Sequence, residues 1–185
     1  VGATHGSLVH AFFEKVVWLE DFHFDTDLLR RVALAGIEPE ALRHVSLDAV
    51  RGEFAEQLKL NSVQAALSQQ RYQQAQFGQV PDSVEIDTER EVSLIIGDKL
   101  IAGTIDRLAV LIKDGRPYAA EIFDFKTDQC DAKQPKRWLK QRIEHHRPQL
   151  EIYAHVVAEL FNLPRTSIAT YLIMLASDDL VLCPT

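Results

Sequence analysis

The segment AEIFDFKTDQ (residues 120–129) places an acid and a lysine inside an apolar run. The residues around Asp124 and Lys126 are typical of a buried strand. Side chains two positions apart in a strand point to the same face of the sheet, so these two charged groups should be neighbours. Burying an unpaired charge is costly, so either the two groups pair with each other or their face of the strand binds something that needs both.

Two other β-like runs precede this segment, and their spacing predicts antiparallel hairpins. The three runs are TEREVSLII (88–96), KLIAGTIDRLAVLIK (99–113) and PYAAEIFDFKT (117–127). The short turn signals GD (97–98) and DGR (114–116) separate them, which favours consecutive hairpins. A long helix is predicted from Pro135 to about Asn162 because Leu163–Pro164 stops it, and SIATYLIMLA (167–176) and DLVLCP (179–184) indicate two more strands.

The first 77 residues are predicted to be mainly helical. Apolar residues at helical spacing predict one helix from Ser7 to about Phe22. Residues 25–60 should form two or three pieces broken near Gly36–Pro39, and residues 61–76 another helix that starts at an Asn cap. Helices followed by a meander, a long helix and further strands predict a single α/β domain over residues 1–185, with a catalytic core in residues 84–185.

Composition excludes several classes of protein. Of the 185 residues, only Cys130 and Cys183 are cysteines, too few for a disulfide framework or a four-thiolate cluster, and we expect a reducing cytoplasm. No apolar run is long enough to span a bilayer, and Val1 begins no recognisable signal peptide, so no membrane partner is expected.

The charge distribution is uneven. A net charge of −7 argues mildly against a nucleic-acid partner. Residues 126–147 nevertheless contain seven basic and three acidic residues, an excess of four positive charges, and Lys136, Arg137 and Lys140 lie in this window. This stretch is either a solvated helix face or a surface that binds DNA.

The meaning of Asp124 and Lys126 depends on a second strand. The pair could be a salt bridge on a half-exposed strand, and a second acid-x-lysine triplet, Asp131 to Lys133, lies in a polar loop. However, Asp106 also interrupts an apolar run, in GTIDRL (103–108), and a hairpin could bring it beside Asp124. Two such carboxylates repel each other unless a cation lies between them, and hard oxygen ligands suit Mg²⁺ or Mn²⁺. A lysine beside that cation could bind a phosphate oxygen or orient the attacking water, which is the chemistry of phosphodiester hydrolysis.

Two weaker features accompany these residues. His10 lies on an amphipathic helix, where a histidine is more often packed or exposed than a ligand. Gln149 and Tyr153 lie four apart on one helix face, so they could touch a phosphate or help to position Lys126, or form ordinary helix surface.

Taken together, His10 after a glycine-containing turn, GTIDRL (103–108), IFDFKT (122–127) and QLEIYA (149–154) resemble the motif series of the RecB-like nuclease domains. These belong to the PD-(D/E)XK superfamily and include the carboxy-terminal nuclease of RecB and AddA helicase–nuclease subunits. The resemblance spans residues 5–175 and implies a restriction-endonuclease-like mixed sheet flanked by helices, with an N-terminal helical region.

The resemblance also implies roles for individual residues. His10, Asp106, Asp124 and the Phe125 backbone carbonyl would ligate Mg²⁺ or Mn²⁺. Lys126 would be catalytic, and Gln149 and Tyr153 would contact the scissile strand. His145–His146 stand where the family commonly has a tyrosine, which could alter that contact.

The implied function is a magnesium-dependent deoxyribonuclease that degrades DNA ends in double-strand break repair and recombination in the bacterial cytoplasm. Its partners would be DNA, a superfamily 1 helicase motor region and a second helicase–nuclease subunit. The sequence contains no G-x-x-x-x-G-K-[ST] loop, so this chain should not hydrolyse ATP. Two alternatives are a catalytically inactive nuclease-like module that binds DNA or a helicase partner, and a purely structural helical domain.

Overall fold

The computed structural model describes residues 2–96, 98–131 and 133–184. The N-terminal part is helical, with α1 (Gly2–Phe13), α2 (Thr26–Gly36), α3 (Pro39–Leu42), α4 (Leu47–Gln57), α5 (Asn61–Leu67) and a 3₁₀ turn at Gln69–Gln73. The remainder contains β1 (Ser83–Ile96), β2 (Lys99–Lys113), β3 (Arg116–Lys126), α6 (Pro135–Phe161), a 3₁₀ turn at Arg165–Ser167, β4 (Ile168–Met174) and β5 (Asp179–Cys183).

The five strands form one mixed sheet in the order β1-β2-β3-β4-β5. The pairs β1–β2, β2–β3 and β4–β5 are antiparallel, and the two hairpins predicted among the first three strands are confirmed. Strands β3 and β4 are parallel, which requires the long crossover that α6 provides. The restriction-endonuclease-like fold class, a mixed sheet with flanking helices and an N-terminal helical region, is confirmed.

The sheet separates two hydrophobic cores. The N-terminal helices pack on one face against residues such as Phe123 and Phe125, and α6 packs on the other against residues such as Ile122 and Leu172. Strand β3 is therefore covered on both faces, which explains its nearly continuous apolar sequence. Two acids, Glu121 and Asp124, are buried in that strand and must find partners.

The first helix ends earlier than predicted. Instead of continuing to Phe22, α1 ends at Phe13, and the chain tightens into i→i+3 bonds from Lys15 to Phe12 and from Val16 to Phe13. The Val16 carbonyl then accepts a hydrogen bond of 3.0 Å from the buried Arg107 side chain. Because the Val16 carbonyl bonds to Arg107 on β2 and not to a helical N–H, the apolar side chains after Phe13 pack on the core without helical structure.

Other boundaries differ by five to nine residues. Strand β1 begins at Ser83 rather than Thr88, and helix α5 ends at Leu67, with Leu60 rather than Asn61 in the cap position. The predicted turn at 97–98 and the polar triplet at 131–133 each include one residue outside the described part of the chain.

Candidate active site

The candidate site lies where strands β2 and β3 separate. Their paired register ends at Arg107 opposite Phe123, and the next positions along that register are Asp106 and Asp124. Beyond that pair the two strands no longer pair, and the Asp106 carboxylate lies close enough to Asp124 for its charge to act on that carboxyl.

Asp106 on β2 bridges the opening to β3 with a hydrogen bond. Its Oδ2 accepts a hydrogen bond of 2.7 Å from the Phe125 N–H, which has no strand partner there. In an extended strand the N–H and C=O of one residue lie on the same side, so the Phe125 carbonyl faces the same opening. The other oxygen of Asp106, Oδ1, lies 3.3 Å from Nδ1 of His10 on α1. Burial lowers the pKa of His10, but the Asp106 carboxylate outweighs that effect and raises the pKa above its ordinary value.

Glu89 joins this pair, although the sequence did not indicate it. One ligand atom each from His10, Glu89 and Asp106 can be chosen so that all three lie within 4.8 Å of one another. Burial and the neighbouring Asp106 carboxylate raise the pKa of Glu89. The Glu89 backbone has φ of +53°, which is uncommon for a residue other than glycine and interrupts the β1–β2 ladder opposite Asp106. Strained backbone of this kind clusters at functional sites.

Asp124 is paired with Lys126. The Lys126 Nζ lies 2.6 Å from Asp124 Oδ2, as an ion pair rather than an aligned hydrogen bond. Asp124 is only 2% exposed, so this is not the half-exposed surface pair considered from the sequence. Burial, reinforced by the Asp106 charge, raises the pKa of Asp124 to about 6 despite the contact with Lys126. Asp124 lies outside the three-residue cluster, and its role as a ligand stays a prediction.

Gln149 and Tyr153 reach the same site from α6. The Gln149 amide donates a 2.7 Å hydrogen bond to the Tyr153 hydroxyl. Burial raises the pKa of Tyr153, and the Asp124 and Asp106 charges add to that effect. The glycine of GTIDRL permits this approach, because a Cβ at Gly103 would lie 2.9 Å from two atoms of the Tyr153 side chain.

His146 and Arg142 tie α6 to the segment after β3. Nε2 of His146 and Nη1 of Arg142 each lie 3.4 Å from one oxygen of Asp128. Burial, with a smaller effect of the Lys126 charge, lowers the pKa of His146 to about 4, so the ring is neutral at pH 7. In place of a tyrosine, this chain therefore has a neutral imidazole close to the candidate catalytic lysine.

The basic residues Lys136, Arg137 and Lys140 are exposed in the first turns of α6. The structure brings together His10, Asp106, Asp124, Lys126, Gln149 and Tyr153, and adds Glu89. Of the three cations, Arg137 contacts Gln134 and Lys140 lies 4.0 Å from Glu144, both at the start of α6. A cavity of about 960 Å³ among the N-terminal helices, lined by residues such as Phe22 and Arg71, lies apart from the carboxylates.

A family model supplies the assignment. The PD-(D/E)XK nuclease superfamily model matches residues 2–179. The chain belongs to the PD-(D/E)XK nuclease superfamily. No curated protein matches the chain.

Membership of this nuclease superfamily implies nuclease activity and DNA binding. Nucleases of this superfamily generally use divalent metal ions, and the donor set of His10, Glu89 and Asp106 fits such an ion because it offers two hard oxygen ligands and one imidazole. None of the helices that the structure describes combines the length and the hydrophobicity needed to cross a bilayer.

Proposed function

We propose that this chain is a Mg²⁺- or Mn²⁺-dependent deoxyribonuclease domain that hydrolyses phosphodiester bonds. The observation that supports this most is the convergence of His10, Glu89 and Asp106 beside the buried Asp124–Lys126 pair in a PD-(D/E)XK chain. Ordinary core packing gives no reason to gather three carboxylates around one opening, because like charges repel.

Each side chain has a defined task in this proposal. His10, Glu89, Asp106, Asp124 and the Phe125 carbonyl would hold the ion, which when bound neutralises negative charge and polarises the phosphate. Lys126 carries three N–H donors and is oriented by Asp124, so it can donate to a phosphate oxygen or to the attacking water.

On α6, Gln149 and Tyr153 would contact the scissile strand. The exposed Lys136, Arg137 and Lys140 would bind its phosphates.

Cleavage of linear and circular DNA in Mg²⁺, Mn²⁺ or EDTA tests the proposal. Metal should be required, and Asp106→Asn and Glu89→Gln should each lower the rate about 100-fold or more. They should also weaken Mn²⁺ binding measured by calorimetry. Asp87→Asn is a matched control. Asp87 lies on β1, as Glu89 does, but its carboxylate forms an ion pair of 2.7 Å with Arg90. Cleavage that persists in EDTA would contradict the assignment.

One observation favours a second candidate, an inactive nuclease-like module that binds DNA or a helicase partner. Asp124 is already engaged by Lys126, and an inactive site could retain that ion pair for stability. An inactive module should bind DNA but show no cleavage with either metal.

The wider setting is part of the same proposal. The resemblance to RecB and AddA supports association with a superfamily 1 helicase motor and a second subunit, in bacterial cytoplasmic repair of double-strand breaks. Because the chain has no P-loop motif, cleavage by this chain alone should be unaffected by ATP. Co-purification with a superfamily 1 motor from the source cell would test the association.

A further inference from the structure

A cavity of about 360 Å³ lies between the β1–β2 hairpin and α6, directly beside the candidate site. We call it the α6 slot. It is lined by Val92, Ser93, Ile101, Ala102, Gly103, His145, Pro148, Gln149, Ile152, Tyr153 and Val156. Gln149 and Tyr153 belong both to the slot and to the site, so a molecule in the slot would adjoin whatever the carboxylates hold.

The slot combines apolar walls with a few polar groups at one end. Val92 lies on the α6 face of the hairpin, and Ile152 and Val156 face it from the helix. The Tyr153 side chain packs against Gly103. The Gln149 NH₂ group is used by the Tyr153 hydroxyl, which leaves the amide oxygen available as an acceptor.

The wall also contains Pro148, which lies inside α6 and has no N–H to donate. An available amide oxygen at the edge of an apolar slot matches a flat ring that carries an N–H donor on its edge.

We propose that the α6 slot binds one unstacked nucleobase of the strand being cleaved, next to the scissile phosphate. This inference rests on the proposed function. The volume lies at the lower end of the range for small-ligand sites, about 300–1,000 Å³. Bases in a continuous duplex are stacked and paired, whereas bases of single strands can splay out and stack on aromatic side chains. The preferred substrate is therefore a single strand or a frayed end.

Binding of oligonucleotides with single abasic positions, measured by fluorescence anisotropy in EDTA, tests the slot without cleavage. For a single-stranded oligonucleotide with one fixed binding register, removing one particular base should weaken binding about 5- to 150-fold, as for loss of one stacked base. Removing other bases should have smaller effects. The same abasic position in a complementary duplex should have no effect.

A second experiment fills the slot with a side chain of the protein itself. In Val156→Trp the indole should occupy the slot, so the penalty for the abasic position should disappear while the abasic oligonucleotide binds as it does to the wild type. Leu160→Trp is the matched control, one turn further along α6 on an exposed side chain, and it should keep the penalty. Ile101→Trp fills the slot from the opposite wall and replaces Val156→Trp if that variant does not fold.

The outcomes separate the two proposals. Binding that depends on no base, or a penalty that persists in both slot-filling variants, would overturn the slot and leave the nuclease proposal in place. An apolar side chain of a partner protein as the real occupant would give this same base-independent result. Failure to bind any DNA would overturn both.

Discussion

Lys126 is the residue at which metal binding and catalysis can be separated. Its ammonium group contacts Asp124 and, while protonated, cannot ligate a cation. We expect Lys126→Met to retain Mn²⁺ affinity within a few-fold but to cleave DNA about 100-fold more slowly or worse, since the variant cannot donate to the transition state. Calorimetry and single-turnover cleavage measure the two quantities.

The sequence offers a matched control in its second acid-x-lysine triplet. Lys133 lies in the loop before α6, and Lys133→Met should leave the rate unchanged. An unchanged rate in Lys126→Met would instead mean that the Asp124–Lys126 pair serves only to stabilise the fold.

Asp124 should make the stability of the metal-free protein depend on pH. Its pKa is raised from 3.8 to about 6 in the folded state, so the folded protein binds the proton more tightly than the unfolded chain. The resulting stability is fully present below pH 4 and is lost as the pH rises through 6. The free energy of unfolding of the wild type, relative to Asp124→Asn, should fall by about 1–3 kcal/mol across this interval and then level off.

Urea titrations in EDTA at several pH values measure this difference. His10 also has a raised pKa, to which the Asp124 charge adds, but its contribution to stability declines only above pH 6.5. A constant difference between wild type and variant from pH 4 to 7 would show that Asp124 is not protonated preferentially in the folded state.

At the scale of elements, the packing of α6 on β2 depends on a glycine, Gly103, which has no Cβ. The Cβ of Gly103→Ala would lie 2.9 Å from the Tyr153 ring and hydroxyl, so the helix or the ring must shift. We expect a loss of about 1–3 kcal/mol in the free energy of unfolding, as for other overpacked sites. The Tyr153→Leu replacement should recover part of that loss in the Gly103→Ala background.

Gly52→Ala on α4 is the control, because a Cβ there meets no atom within 4 Å. It should stabilise the protein by about 0.5–1 kcal/mol through helix propensity. Equal effects of the two substitutions would exclude a tight contact at Gly103.

The exposed cations of α6 should determine how strongly DNA binding depends on salt. Reversal of Lys136, Arg137 and Lys140 to glutamate should reduce the slope of log affinity against log salt. On single strands the reduction should be up to about 0.7 for each phosphate that the variant no longer neutralises. The metal requirement for cleavage should not change.

Reversing Arg30 and Arg31 on α2 and Arg43 directly after α3 alters net charge equally and should have a smaller effect. If both triple variants reduce the slope by the same amount, binding responds to net charge and not to a surface on α6.

The strands were predictable because their signals are local. Apolar runs and short turns are visible in the sequence, and the hairpin that they imply pairs β2 with β3 up to Arg107 and Phe123, the residues next to Asp106 and Asp124. The role of Glu89 could not be predicted, because TEREVSLII is an ordinary strand pattern and a positive φ has no signature at a glutamate. The end of α1 was also hidden, since it depends on Arg107, which lies 91 residues beyond Val16.

On the scale of the whole molecule, a buried ion pair connects the helical region to the sheet. Arg71 donates two hydrogen bonds of 2.8 Å to Glu121 on β3, and the Tyr72 hydroxyl donates a third of the same length. Arg71→Met should lower the free energy of unfolding by about 3–5 kcal/mol, because Glu121 would be left buried without a cation.

The double variant Arg71→Met/Glu121→Gln should recover much of this loss, since neither charge of the pair remains. The exposed pair Lys59–Glu56 supplies the control, and Lys59→Met should cost less than about 1 kcal/mol. Chemical denaturation of the four proteins gives the comparison. A small effect of Arg71→Met would mean that water reaches Glu121.

The core shared by the helices and the sheet has a consequence for synthesis on the ribosome. Residues from α1 to the 3₁₀ turn at Gln69–Gln73 bury their apolar side chains against residues as late as Ile173 on β4 and Leu175 directly after it. At roughly 5–20 residues per second, the intervening chain takes roughly 5–20 s to emerge. For that time the sheet that covers the helical segment is incomplete, so the segment is a site for chaperones and for aggregation, and we expect nascent-chain folding to wait for β4.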